Sequence, residues 1–431
     1  MVSMRRLIIA ILFIAVFYDT HAQSGTNSPY SQYGVGILSD QATGFNKGMN
    51  GLGIGFHNGK EINPLNPASY SAMDSLSFIF DAGITGQIAH FKEGDISKNA
   101  TNSNFEYVVA GFRAFKHLGF SFGLLPFSNV GFNYSFSKTL PTTTTTYTNT
   151  FNGSGGLHKF YLGAGWQPLK HFSIGVNVAY LWGELDHSVV NSYSDNTINN
   201  VSRLYSANVT SYTLDFGAQY DFNLSSKDNV TLGVTYFKGH NINGKPTLDE
   251  ISKNSETSVA DTATYRASHI SLPDAFGVGL MWNHNNKWRV GADYSLQKWG
   301  SIDALSYESN DASKSVIAVG NSYSDRSKIT VGADYCPNEK SRRALDKAHY
   351  MFGFSYATPY IKINGEDGPK EFSASAGISM PIINNWNNRS MLNVSVQWIH
   401  TGKKELIEEN CFRLNIGLTF NERWFAKWKV E

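Results

Sequence analysis

The sequence predicts an all-β chain: an antiparallel transmembrane β-barrel of about fourteen strands, with an N-terminal hatch or plug segment. Three observations predict it. Between Leu76 and Phe420, runs of alternating apolar and polar or small residues recur, broken by turn chemistry. Charged residues are only 16% of the chain and mean hydropathy is negative, yet no stretch after the first twenty residues is apolar enough for a helical span. Long and short connections alternate along the chain. The clearest copy of the pattern is Phe412–Phe420, where every even position is apolar and every odd one is Arg, Asn, Gly or Thr. Side chains on a strand point to opposite faces in turn, so one face is greasy and the other polar. Without water in the bilayer, such strands must close on themselves to satisfy their backbone.

The elements follow in order. Residues 1–22 read as a cleaved signal peptide, with Arg5 and Arg6 before the apolar core Leu7–Phe17 and Ala22 at the cleavage point. The residue directly after that point is Gln23, not a cysteine, so no lipid anchor is expected there. Residues 23–75 do not alternate and carry Asn63-Pro64-Leu65-Asn66-Pro67-Ala68. Proline removes backbone donors and disfavours helix before it, so this piece is expected to be compact but irregular. An ordered plug is favoured over a periplasmic tail or a disordered leader. Residues 76–421 form the barrel and 422–431 a periplasmic tail.

Individual strands show the alternation well. The first opposes Leu76, Phe78, Phe80, Ala82, Ile84 and Ile88 to Ser77, Asp81, Thr85 and Gln87, with Ile79 as a break. The fifth sets Ile174, Val176, Val178, Tyr180 and Trp182 against Ser173, Gly175, Asn177 and Ala179. The ninth (Trp288–Gln297) and thirteenth (Leu392–Trp398) repeat the scheme. Aromatic residues near strand ends suit the girdles of a membrane interface.

Connections after the even-numbered strands are short, as at Lys116-His117; those after odd-numbered strands are long, as at 238–266 and 300–325. The segment 337–349 is the exception. Short periplasmic turns and long outer loops are the rule for bacterial barrels, so both mature termini are expected in the periplasm of a bacterial outer membrane. The run Thr142–Thr146 reads as part of a flexible solvated loop. Cys336 and Cys411 fall at opposite rims, too far apart for a disulfide.

No catalytic constellation appears: no nucleophile elbow, phosphate-cradling loop or zinc helix. An enzyme, a cofactor and a metal site are not expected, and the near-neutral charge offers nothing to nucleic acid. One departure stands out. Pro126 interrupts the third strand between Leu125 and Phe127. Proline cannot donate to a ladder, so this position marks either a structural bulge or a gap in the wall through which an apolar ligand leaves sideways. Arg113, Arg289 and Arg413 are candidate lumen cations by alternation, unless each pairs with Asp215 or Asp293.

Four features together resemble the long-chain fatty acid outer-membrane transporter family, of the FadL/TodX type. They are Asn66-Pro67-Ala68 ahead of the first strand, the proline in the third, the hairpin Leu272–Gly279 through Asn286-Lys287-Trp288 with Asp293 and Trp299, and the strand count. The resemblance spans most of the mature chain. It implies a monomeric barrel among outer-membrane lipid and lipopolysaccharide that takes up hydrophobic small molecules, such as long-chain fatty acids, by diffusion. It places Asn66, Pro67 and Ala68 in the hatch and Leu125, Pro126 and Phe127 at a lateral opening. Some relatives of this architecture serve instead as barrel scaffolds in protein secretion or surface attachment.

Overall fold

A computed structural model of the chain describes residues 25–267, 269–302, 306–309, 317–318, 323–341, 343–382 and 390–422. The expected signal peptide and most of the expected tail lie outside them. Fourteen antiparallel strands close into a barrel. They are β1 (Phe78–Glu93), β2 (Ile96–Phe115), β3 (Leu118–Thr139), β4 (Thr146–Leu169), β5 (Phe172–Tyr193), β6 (Asn200–Asn223) and β7 (Asp228–Phe237). The ring continues with β8 (Ala275–His284), β9 (Trp288–Gln297), β10 (Arg326–Tyr335), β11 (His349–Ala357), β12 (Lys370–Pro381), β13 (Met391–Gly402) and β14 (Glu408–Glu422). Closure runs from Phe78↔Glu422 to Lys92↔Glu408.

The alternation reads out as expected. Phe412, Leu414, Ile416 and Phe420 are exposed on the outer face, while Asn415 and Thr419 are buried in the lumen. Ile79, the break in the first strand, is fully buried in a lumen cluster with Tyr107, Val109 and Leu125. It faces hatch residues Ile62, Tyr70 and Met73, so an apolar inward residue is required there.

The wall is uneven. Strands β3–β6 are 22, 24, 22 and 24 residues long, whereas β7–β11 have nine or ten. A tilted crossing needs about 9–11 residues, so β3–β6 rise well above the lipid. This corrects the expected long loops after the first, third and fifth strands. Those connections are the turns 94–95, 140–145 and 194–199; the Thr142–Thr146 run lies in the second of them except for Thr146, which opens β4. Outside the bilayer a ladder needs no apolar stripe. Here it is held by pairs such as Ser137 with Thr148, whose hydroxyls lie 2.8 Å apart, and Tyr134 stacked on Phe151. The connections 238–274 and 298–325 are long as expected.

The hatch fills the tight-turn half of the lumen with a short helix α1 (Gly44–Gly48) and a 3₁₀ helix (Pro67–Ala72). Glycines on the inner wall make room for it. A Cβ at Gly165 would lie 2.5 Å from the Pro67 oxygen, at Gly217 2.0 Å from Asn66 Oδ1, at Gly233 2.0 Å from the Ile54 oxygen and at Gly353 2.3 Å from the Met49 carbonyl carbon. Strand neighbours Gly119↔Gly165↔Gly175↔Gly217 lie in direct register, so the belt is continuous across four strands.

Candidate functional site

The floor of the lumen is closed by a locked hatch. Asn66 is fully buried and caps the 3₁₀ helix: its Oδ1 accepts from the Ala68 N–H at 3.1 Å, and its Nδ2 donates to the Ile54 oxygen at 2.8 Å. Pro67 and Ala68 form the first turn of that helix, where a missing N–H costs nothing. From the wall, Asp293 Oδ2 accepts the N–H groups of Gly53 at 2.7 Å and Ile54 at 2.9 Å. Tyr107 donates to Asp81 at 2.9 Å and accepts from the Gly44 N–H at 2.6 Å. Each contact pairs a group that burial would otherwise make costly.

The wall above that floor is broken between β2 and β3. Their pairing runs from Phe115↔Leu118 to Val108↔Leu124 and stops. On the other side, β3 stays paired with β4 through a bulge between Pro126 and Ser128. Phe127 is the extra residue, because proline supplies no N–H to continue the regular ladder. Leu125 is buried towards the hatch, Pro126 is buried in the bend, and Phe127 turns to pack its ring 6.3 Å from that of Phe237.

The hatch occupies the edge that β2 leaves free. Ile37 and Leu38 pair with Asn129 and Ser128, the Ser39 N–H donates to the Phe127 oxygen, and Gln41 Nε2 donates to the Pro126 oxygen at 2.8 Å. Gly25 lies between the two strands: a Cβ there would meet Asn104 Nδ2 at 2.4 Å and Asn129 Oδ1 at 2.5 Å. The start of the hatch is therefore inside the wall, on the side away from the tight turns. Glu422, by contrast, ends β14 beside the start of β1, on the tight-turn side; the expected mature N-terminus at residue 23 lies outside the described residues. Nothing in the local sequence around Gly25 signals that placement, which depends on where β2 and β3 part.

Above the hatch lies a cavity of about 130 Å³. Tyr30, Ile37, Leu38, Tyr360 and Ile361 line one part, and Asp40, Arg326, Glu371, Glu409 and Arg413 another. It continues into a slot of about 30 Å³ between β2 and β3, sharing Ile37, Leu38, Asp40, Gln87 and Arg413 with it. Beside the cavity, the mouth is packed with an apolar cluster that joins Tyr30, Val35, Leu157, Leu181, Trp299 and Tyr360. Sequence reading missed this cluster, because its members come from the hatch, four strands and the loops. Asp40 in the hatch sits against Lys328 at 2.9 Å; burial opposes its ionisation, but that ammonium holds its carboxyl down to about 2.

The three candidate cations separate. Arg413 borders the cavity, its Nε donating to Gln87 Oε1 at 3.1 Å. Arg289 is buried at the floor, bonded to Asp334 at 2.6 Å and flanked by the rings of Phe45 and Phe56. Arg113 donates to the Phe115 oxygen near the tight-turn rim and does not join the lumen site. The expected pairing with Asp215 or Asp293 is not found: Asp215 meets Lys159 and Asp293 holds the hatch. Alternation gave the face of each arginine but not its height, which strand stagger sets. Cys336 and Cys411 are both free thiols.

By sequence, no curated protein matches the chain. By structure, the chain resembles the toluene transporter TbuX of Ralstonia pickettii (TM-score 0.61, 15% identity, 88% of this chain and 98% of that one). It also resembles the toluene transporter TodX of Pseudomonas putida (0.60, 15%, 92% and 100%) and a FadL homologue of Pseudomonas aeruginosa (0.62, 12%, 89% and 99%). These likenesses establish the FadL/TodX-type barrel fold. Family membership comes from the sequence itself: the BamG family profile matches residues 3–431, and the chain belongs to the BamG family.

Proposed function

We propose that the chain is an outer-membrane channel for the passive passage of hydrophobic small molecules, long-chain fatty acids among the candidates. One observation carries the reading: above a floor locked by the hatch, β2 and β3 part company at Val108↔Leu124, so the cavity meets the barrel's flank rather than the periplasm. A greasy solute crosses a polar cell surface poorly and partitions downhill once it reaches lipid, so no energy source is needed. The toluene transporters and FadL homologue named above support the reading by their shared fold. The barrel would act as a monomer among lipid and lipopolysaccharide, with no catalytic step.

The test is uptake of labelled oleate and toluene into proteoliposomes. Deleting Phe127 removes the bulged residue, and Pro126→Ala restores a donor to the strand. Both should slow uptake. Unchanged uptake, together with a preparation holding no lipid-like ligand, would end this reading.

A second reading, a barrel scaffold in protein secretion or surface attachment, has its own support. From Phe132 to Thr139, β3 has β4 on one side and no described strand on the other, and this edge stands above the lipid. A free edge is a template for an added strand. Purification from native membranes that recovers the barrel alone would count against it.

A further inference from the structure

The slot between β2 and β3 is polar. Asn102, Asn104 and Glu106 face it from β2, Asn129 from β3, and Thr26 and Ser39 from the hatch; Ile37 and Leu38 are the apolar exceptions. Asn129 Nδ2 donates to Ser39 Oγ at 2.8 Å, and Asn27 Nδ2 to the Thr101 oxygen at 3.3 Å. Ser128 is fully buried at the kink and its Oγ has no hydrogen-bond partner; the Oε1 of neighbouring Gln41 has none either. A pure hydrocarbon passing here would separate amides and hydroxyls from their partners and return nothing. A head group with donors and acceptors replaces those bonds as it passes.

Charge narrows the head group further. Lys47 pairs with Glu106 at 2.6 Å, Lys328 with Asp40 at 2.9 Å, and Arg326 approaches Glu371 at 3.9 Å. That leaves Arg413 and Glu409, one cation and one carboxyl, both at the cavity. Counted with its ion-pair partners the lining holds as many formal cations as carboxyls, so no cationic cluster is set out for an anionic head. The cavity's apolar part, Tyr30, Ile37, Leu38, Tyr360 and Ile361, receives a tail.

Resting on the transport reading, we infer that this slot selects an amphiphile whose polar head carries no net charge, in preference to a hydrocarbon or a fatty-acid anion. Three probes with one tail test it: octyl glucoside and octanoate below their micellar concentrations, and octane below its aqueous solubility. Binding is measured on the full barrel in nanodiscs by equilibrium dialysis of labelled probe, with empty nanodiscs subtracted. Octyl glucoside should bind at least about ten-fold more tightly than either other probe, since only it brings both donors and acceptors to the slot's amides and hydroxyls. Asn104→Leu combined with Asn129→Leu should erase that preference and favour octane, with heat-dependent gel mobility confirming that the barrel is intact. Equal or tighter binding of octane or octanoate, or a double variant with the original preference, overturns the inference. If octane and oleate bind and move while the glucoside does not, this inference falls and the transport reading stands. If nothing binds, both fall.

Discussion

Gly175 of β5 and Pro67 of the hatch approach so closely that a Cβ on Gly175 would lie 2.3 Å from the proline's carbonyl carbon. Backbone presses on backbone there, so no flexible side chain can yield. Gly175→Ala should lower the stability of hatch docking by about 1–3 kcal/mol, the usual cost of overpacking. Hydrogen exchange of the 44–72 amides would show it as faster exchange with the strand amides unchanged. Equal protection in the variant would mean the hatch has slack.

Asn66 caps the 3₁₀ helix and reaches Ile54 with the same amide. Asn66→Ala should cost about 1–2 kcal/mol through loss of the cap and of one buried bond. Asn66→Asp keeps the cap acceptor but loses the donor, so it should recover only part. Thermal unfolding of the three proteins in one detergent ranks them, and an alanine variant as stable as the parent would refute the capping role.

Glu61 gives the hatch a pH dependence. Burial pushes its carboxyl up to about 8, and the nearby Asp81 carboxylate works in the same direction. An unfolded glutamate titrates near 4.3, so between about 4.3 and 8 the folded hatch holds a proton that the unfolded one releases. The contribution is fully present below the unfolded value and is lost as pH rises through the folded one. Glu61→Gln, neutral throughout, should flatten the fall in hatch protection between about pH 4.3 and 8. A variant with the parent's slope would assign that slope to another group.

Arg289 and Asp334 form a buried pair at the floor, with His349 Nδ1 3.0 Å from the Asp334 carboxylate. Arg289→Met alone leaves Asp334 buried beside only His349 and should cost about 3–5 kcal/mol. Arg289→Met with Asp334→Leu removes both charges and should recover most of that loss. A double-mutant cycle on thermal stability checks it; additive losses would show that the two residues act independently.

Much of the barrel was legible because its signal is local. The line from Phe412 to Phe420 shows its two faces in nine consecutive residues, and Lys116-His117 marks a tight turn, with His117 at φ 66°. The Asn66-Pro67 step reads only as irregular chain, and its capped 3₁₀ turn emerges with the fold. What escaped was non-local. Thr148 lies just past the threonine run that reads as a loop, yet it pairs with Ser137 across strands above the lipid, where polar side chains suffice. Asp293 looks like one more inward polar residue, and only the approach of Gly53 and Ile54 makes it the hatch's anchor.

The sequence by itself determined a fourteen-strand membrane barrel, because the bilayer forces every strand to state its inside and outside in alternation. It also marked the place of interruption, at Pro126, because proline lacks the donor a ladder needs. Only the tertiary structure showed how the strands part there: β2–β3 pairing stops at Val108↔Leu124, Ile37 and Leu38 take the edge of β3, and asparagines rather than grease line the slot between. Strand stagger and the path of the hatch bring those residues together from three separate stretches of chain. No local pattern encodes which of them will meet.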